Sequence, residues 1–322
     1  MSLDAIRELI RSDLAETDTL IRNSLHSDVE VIQQIGEYVF QSGGKRSRLI
    51  LTLLASKACG LEGDAPPILG AILEMIHTAT LLHDDVIDAS DMRRGRKTAN
   101  TIYGNTATIL SGDFLYSRSF ELMVKLNSIP VLQALANASN KIAEGEMLQL
   151  QSCHRVDVKE ADYLKVLEYK TATLFEAAAK IPALLVGAPP AIYQALERYG
   201  NHLGIAFQVQ DDLLDYTSAS TDMGKNPGDD LAEGKMTLPL MFAKETASHA
   251  EQEIIRHAII HGDISALPHI IDIIHKTGSI ERVQNYARHL IDEAKNALAI
   301  LPQNEYVKAL CNFADLAIER NA

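Results

Sequence analysis

The chain has 322 residues, of which 47% are hydrophobic and 23% charged, enough apolar material to bury a substantial core. Its formal net charge of -13 excludes a nucleic-acid backbone as the main partner, because polyanions of that kind are met by basic surfaces. An acidic protein that binds phosphate must do so through metal ions or through a local basic cluster.

Cys59, Cys153 and Cys311 lie far apart and lack zinc-site spacing, which predicts buried, reduced thiols in a cytoplasmic protein. The first eleven residues mix charge with apolar positions at helical spacing, unlike a signal peptide. No segment reads as apolar enough to span a bilayer, so the expectation is a protein without a transmembrane segment that makes at most transient membrane contact.

In chain order the pattern is helix after helix. Residues 3–22 and 29–40 carry apolar positions at three- and four-residue intervals. Gly43 and Gly44 end the second run, and residues 45–59 begin another. Residues 60–67, rich in Gly and Pro, read as a loop, and 68–89 as a long helix. Residues 94–97 form a basic turn. Helical patterns follow over 106–126, 131–153, 159–186 and 191–216. Residues 218–235 break the pattern with Ser, Asp, Gly, Asn and Pro, as an ordered functional loop or lid would. Amphipathic helices return from 238 to the end. With no period-two alternation, linker or repeat, the expectation is one all-α domain over 1–322, built as a helical bundle.

Two Asp-Asp-x-x-Asp triplets carry the chemistry. Asp84, Asp85 and Asp88 close one long apolar run, and Asp211, Asp212 and Asp215 close another. Asp84 and Asp88 share a helix face, where like charges repel unless a cation lies between them. Magnesium suits such a site, since it takes one or two carboxylates and completes its shell with water and phosphate oxygens. Two facing helices of a bundle commonly supply such ligands. His77 lies near the azimuth of Asp84, and Gln208 near that of Asp211 and Asp215. Lys45 and Arg48 fall in the first turn of a helix, where cations are disfavoured unless an anion is bound. Arg93 and Arg94 follow the first triplet and offer planar forks to phosphate oxygens. Together these residues outline a cavity for two polyphosphates, one reached through metal and one through bare cations.

The ordered set Gly-Gly-Lys-Arg-Ser-Arg at 43–48, His77, Asp-Asp-Val-Ile-Asp through Arg-Arg-Gly at 84–95, Lys170-Thr171, Phe-Gln-Val-Gln-Asp-Asp-Leu-Leu-Asp at 207–215, Gly-Lys-Asn-Pro-Gly-Asp-Asp at 224–230 and Glu-Gly-Lys-Met-Thr-Leu-Pro at 233–239 resembles the trans-isoprenyl diphosphate synthases of the long-chain polyprenyl type. The resemblance covers nearly the whole chain. It implies the all-helical isoprenoid-synthase bundle, with a central cavity flanked by two Asp-rich helix ends, usually as a homodimer. It implies that Lys45, Arg48, His77 and Arg94 bind isopentenyl diphosphate without metal. Asp84, Asp88 and Asp211 would hold three magnesium ions on the allylic diphosphate, with Asp85, Asp212 and Asp215 acting through water or tuning the site. Arg93, Lys170, Thr171, Gln208, Lys225 and Lys235 would grip the allylic diphosphate. The chain ends Ile-Glu-Arg-Asn-Ala, without the basic tail of short-chain farnesyl synthases, so no role in the isopentenyl site carries over to its end.

The implied reaction elongates an allylic starter, farnesyl diphosphate, by repeated addition of isopentenyl diphosphate, and its product serves quinone side chains. Ala79 and Thr80, one helical turn before Asp84, are small where short-chain relatives place aromatic blocks, which predicts a long product, with Met123 as its floor. Met123 also fits ordinary core filling. The alternatives are a shorter-chain geranylgeranyl or farnesyl synthase, a class I terpene cyclase, a phosphohydrolase using His83 and Asp84, and a non-catalytic partner subunit.

Overall fold

The computed structural model describes residues 1–217 and 227–319. Its N-terminal elements are α1 (Leu3–Leu9), α2 (Arg11–Ser24), α3 (Glu30–Gln41), α4 (Ser47–Ala58) and α5 (Ala65–Ile87). A two-residue hairpin, β1 (Met92–Arg93) and β2 (Arg96–Lys97), leads into α6 (Ala99–Tyr103), α7 (Asn105–Lys125) and α8 (Ile129–Ser152). Next come α9 (Glu160–Leu167), a π-helical turn (Glu168–Ala172), α10 (Thr173–Leu185) and α11 (Pro190–Thr217). The C-terminal part consists of α12 (Asp229–Ala232), α13 (Leu238–Thr246), α14 (His249–His261), α15 (Leu267–Lys276), α16 (Ser279–Ala297) and α17 (Glu305–Ile318).

The all-α expectation holds, with local corrections that have local causes. The run at 3–22 divides because Ile10 leaves helical geometry at φ -122° and ψ 21°. Pro66 and Pro67, assigned to a loop by the sequence pattern, instead open α5, where proline's missing N–H costs nothing and its fixed φ already suits a helix. The basic turn at 94–97 belongs to an antiparallel hairpin pairing Arg93 with Arg96. Its central residues, Arg94 at φ 53° and Gly95 at φ 72°, both have the positive φ of a type I′ turn. Helix α4 begins at Ser47 behind Arg46 in the left-handed region, so Lys45 precedes the helix and only Arg48 lies in its first turn.

Helix α5 also corrects the reading of membrane propensity. It is long and apolar enough to cross a bilayer by length and composition, but 72% of its most apolar stretch is buried inside the bundle. Its apolar character reflects a position between α4, α7 and α10 rather than exposure to lipid. Cys59, Cys153 and Cys311 are free and half-buried, and burial raises their thiols above the ordinary range.

The main core joins α4, α5, α10 and α11, while a second cluster gathers α11 with the C-terminal helices. Two glycines let α11 approach α10 and the π-helical turn before it closely. A Cβ at Gly200 would lie 2.7 Å from Glu176 Cα, and one at Gly204 would lie 2.5 Å from Ala172 Cα. Backbone lies on the other side at both positions, so relief requires the helices to move apart. Gly200→Ala is therefore expected to destabilise the protein by about 2 kcal/mol or more in chemical denaturation, despite alanine's better helix propensity; unchanged stability would contradict this close approach.

Candidate active site

The first acidic triplet sits where α5 unwinds. The Asp88 N–H reaches Asp84 O at 2.8 Å, and the Ser90 N–H reaches back to Asp85 O at 3.0 Å. This closure puts Ala89 at φ 49°, a conformation that alanine adopts only when its neighbours enforce it. Asn100 Nδ2 holds Asp85 O and Ser90 O at 3.1 and 3.2 Å, and Thr98 Oγ1 holds Ser90 O at 2.6 Å. Asp84 and Asp88 thus project from a fixed helix end. Asp85 turns inward, is 4% exposed, and accepts a 2.6 Å bond from Arg93 Nε.

The second triplet lies near the end of α11 and is bound into the protein at both flanks. Asp212 accepts from Tyr163 Oη at 2.7 Å and from Gln208 Nε2 at 2.8 Å, and Gln208 Oε1 accepts from Thr171 Oγ1 at 3.0 Å. Asp215 accepts the backbone N–H groups of Gly228 and Asp230, each at 3.1 Å, and so anchors the start of α12. These bonds leave the carboxyls of Asp212 and Asp215 turned to the protein. Asp211, between them, contributes a charge felt by Arg48.

Lys170 and Thr171 sit in the π-helical turn, a wider coil that displaces the backbone locally and recurs at functional sites. Lys170 Nζ meets Glu146 Oε2 at 2.8 Å. A Cβ at Gly145 would lie 2.6 Å from Lys170 N, so this glycine lets α8 come up against the turn. Lys235 pairs with Glu233 and, at 3.4 Å, with Asp230, and its charge is also raised by Asp88. Lys225, and residues 218–226 of the expected loop, lie outside the described residues.

The basic side has its own scaffold. Arg94, at the hairpin turn, donates to Gly43 O. Gly44 has φ +141°, a conformation that strains other residues, and a Cβ there would also lie 2.6 Å from the Arg94 guanidinium and push it aside. Arg48 Nη1 lies 3.3 Å from His77 Nε2, and its guanidinium stacks 4.5 Å from the centre of the Phe175 ring. Burial lowers Arg48 to about 10, a value that still leaves it charged at neutral pH. Burial, followed by Arg48 and Arg94, holds His77 well below its ordinary value, so it is a neutral acceptor. Lys45 borders an apolar cleft beside Ser47, Phe175 and Phe207.

Sequence reasoning missed Glu146, Tyr163 and Asp230. Gly145, a glycine inside a helical pattern, was the available signal for the close approach that brings in Glu146. Asp230 ends the motif at 224–230, which was quoted without a role for this residue, and Tyr163 comes from a distant element that no local pattern marks. The expected chain-length residues do not share one cluster. Ala79 is buried with Ile35, Leu82 and Leu115, whereas Met123 belongs to the main core. Thr80 Oγ1 bonds its own helix at His77 O, 2.8 Å away. His83 turns to α7, with Nε2 3.1 Å from Ile109 O and 3.4 Å from Asp113, an orientation that counts against a His-Asp hydrolytic pair.

Among the described residues no three acidic or sulfur and imidazole ligands form a closed metal cage. Magnesium does not need one, because phosphate oxygens and water complete its shell. The donor set still fits a hard cation. Burial pushes the Asp84 carboxyl up to about 7, and Glu146 and Asp88 reinforce that shift against the opposing charge of Lys170. A divalent ion here would relieve crowded carboxylates.

The same crowding acts at Asp212. Burial, then Asp230, raises its carboxyl to about 8, so the folded protein retains this proton after the unfolded chain has lost its own. The contribution of Asp212 to stability is therefore full below pH 4 and lost as pH rises towards 8. Asp212→Asn removes this dependence. Its melting temperature relative to the parent, measured without metal, is expected to rise between pH 5 and pH 8.5; a constant difference would contradict the assignment.

Comparison with known proteins agrees with this arrangement. Residues 29–274 match the family model described as polyprenyl synthetase. Over 322 residues the chain is 44% identical to octaprenyl diphosphate synthase of Escherichia coli K12, with 100% of both chains covered. A polyprenyl synthase from Caulobacter crescentus CB15, solved with calcium and isoprenyl diphosphate, superposes with a TM-score of 0.96 at 41% identity, covering 100% of this chain and 98% of that one. A decaprenyl diphosphate synthase from Rhodobacter capsulatus superposes with a TM-score of 0.94 at 41% identity, covering 99% of each chain. On its fold, its two carboxylate-bearing helix ends and these matches, the chain belongs to the polyprenyl synthetase family.

Proposed function

We propose that the chain is a trans-prenyltransferase that extends an allylic diphosphate, farnesyl diphosphate as starter, with successive isopentenyl diphosphate units to a long, octaprenyl-like product. The observation that supports this reading is the division of charge along α5, with crowded carboxylates at Asp84 and Asp88 and, about two turns earlier, arginines around a neutral His77. The expected use of the product, as a quinone side chain, and a cytoplasmic setting belong to the same proposal, as does the organisation of 1–322 as one catalytic domain.

In this mechanism Asp84, Asp88 and Asp211 would hold magnesium, three ions in the loaded site, which would supply positive charge to the pyrophosphate leaving group. Lys170, Lys235, Lys225 and Arg93 orient the allylic diphosphate. Lys170 and Lys235 are already ion-paired, to Glu146 and to Glu233 with Asp230, so the substrate phosphates replace protein carboxylates rather than water around them. Thr171, Gln208 and Asp212 form a hydrogen-bonded relay that fixes the face of α11 beside Asp211. Asp85 fixes Arg93, and Asp215 fixes the segment that leads to Lys235. Lys45, Arg48, His77 and Arg94 hold isopentenyl diphosphate with its double bond towards the allylic carbon. Ionisation of the allylic substrate, attack by that double bond and loss of a proton to the departing pyrophosphate complete one cycle, with no protein nucleophile. Water that would trap the carbocation has to be kept out, and of the segment expected to do this, 218–235, residues 218–226 lie outside the described residues.

A homodimer fits the surface. Val124 at the end of α7 is 70% exposed and Ile129 at the start of α8 is 72% exposed, and Leu110, Phe120, Met147 and Leu150 extend apolar surface along the same two helices. Ile129 and Met147 are about five turns apart on α8 and share its face. Such a surface suits a second copy of the chain.

Purified protein supplied with magnesium, labelled isopentenyl diphosphate and farnesyl diphosphate is expected to give long polyprenyl products and to lose this activity on chelation. Ala79→Tyr, which fills space beside Leu82 and Leu115, is expected to shorten the product to about farnesyl or geranylgeranyl length. Absence of chelator-sensitive elongation would refute the function, and unchanged product length would refute the role of Ala79 alone.

A further inference from the structure

Lys235 sits in a piece of chain too short to hold its own place. Helix α12 is four residues long, and one turn of helix has little stability by itself. Its end is nonetheless well defined. Gly234, at φ 66°, turns the chain, with its N–H on Leu231 O at 3.0 Å and the Lys235 N–H on Asp230 O at 2.9 Å, the pair of bonds that closes a Schellman cap. The counter-ions of Lys235, Glu233 and Asp230, belong to the same turn. Lysine and carboxylates therefore move as one unit, and contacts outside that unit decide where the ammonium group lies.

Asp215 holds the front of the unit, through the Gly228 and Asp230 N–H groups. His154 holds the back. Its N–H reaches Gly234 O at 2.8 Å, and its ring Nδ1 lies 3.1 Å from Ile259 O in the last turn of α14, where carbonyls lack intrahelical partners. A carbonyl only accepts, so Nδ1 is the donor. His154 itself has φ 60°, a left-handed conformation that Asn, Asp and His adopt more readily than other side chains. The ring bond locks this conformation, and with it the position of the backbone N–H that meets Gly234. Packing around the clamp is close: a Cβ on Gly234 would run into the His154 ring, and one on Gly262 would run into Ala232 O. Lys244 Nζ, 2.7 Å from Val156 O, secures the chain just beyond His154. One residue thus joins the ends of α8, α12 and α14. Released at Gly234 O, the turn would pivot about Asp215, and lysine magnifies such a shift because its charge lies at the end of a flexible stem.

We propose that His154 is a positioning residue for the allylic diphosphate: it clamps the turn at 230–235 between α8 and α14 and so holds the Lys235 ammonium group in place. The proposal rests on the assignment of Lys235 to the allylic diphosphate, and in it His154 acts only through Lys235. Its loss therefore weakens use of one substrate selectively, whereas a generally loosened fold would weaken use of both.

The test compares the full-length protein with His154→Gly, which accepts positive φ but has no ring, and His154→Asn, which accepts positive φ and offers an amide donor in place of Nδ1. The residue is exposed, so loss of the ring empties no core. Initial rates with magnesium give kcat/KM for farnesyl diphosphate and KM for isopentenyl diphosphate. His154→Gly is expected to lose about tenfold in the first and to stay within about twofold in the second, while His154→Asn stays within about twofold in both. Added to Lys235→Ala, His154→Gly is expected to cost less than about twofold more, because the group it positions has gone. An unchanged farnesyl kcat/KM in His154→Gly would overturn the proposal, as would a matching rise in its isopentenyl KM or a loss in His154→Asn as large as in His154→Gly. A further loss of about tenfold in the double variant would overturn it too. If Lys235→Ala alone leaves farnesyl kcat/KM unchanged, the assignment of Lys235 itself fails, a result distinct from all of these.

Discussion

Crowding of negative charge at the buried end of α5 is the constraint on which the other parts of the cavity depend. Asp84 lies within the influence of Asp88 and Glu146 in a poorly solvated setting, and burial alone makes its ionised form costly. Lys170 opposes this, but it is shared with Glu146. The protein therefore carries more carboxylate than its own cations neutralise, a state that favours divalent ions and disfavours bare diphosphate. The rigid support behind the helix end, from Thr98, Asn100 and Arg93, keeps these carboxylates from relaxing apart. Preorganisation of this kind retains affinity that a flexible site would spend on ordering.

One helix borders both regions of charge. Glu74 and His77 lie in the region of Arg48 and Arg94, and Asp84 and Asp88 follow about two to three turns later. The rise per residue of an α-helix thus sets the separation between a cation-lined position and a metal-seeking one. The hairpin after α5 reinforces this division: adjacent arginines depart in different directions, Arg93 to Asp85 and Arg94 to Gly43 O. A type I′ turn allows that divergence, at the cost of a non-glycine residue with positive φ.

Much of this was legible in the sequence because it is local. Helical periodicity gave the all-α class, and repeated Asp-Asp-x-x-Asp spacing at the ends of two apolar runs marked α5 and α11. What was not legible depends on contacts between distant elements or on small departures from ideal geometry. The π-helical turn leaves helical periodicity almost intact, so Lys170 appeared to lie on one long helix. The pairings Lys170–Glu146 and Tyr163–Asp212 span elements that only folding brings together. Pro66 and Pro67 read as a loop because proline marks both loops and first helical turns. The apolar character of α5 was underestimated because polar residues such as Glu74 and His77 interrupt a run that is otherwise long and apolar enough to cross a bilayer.

The central claim is that metal serves one diphosphate and not the other. It is tested most directly by anomalous diffraction from crystals grown with manganese, a non-cleavable allylic diphosphate analogue and isopentenyl diphosphate. The account predicts metal peaks beside Asp84, Asp88 and Asp211 and none between Arg48, His77 and Arg94. Metal bound to the second diphosphate among those arginines, or a fully occupied allylic site without metal at the aspartates, would contradict it.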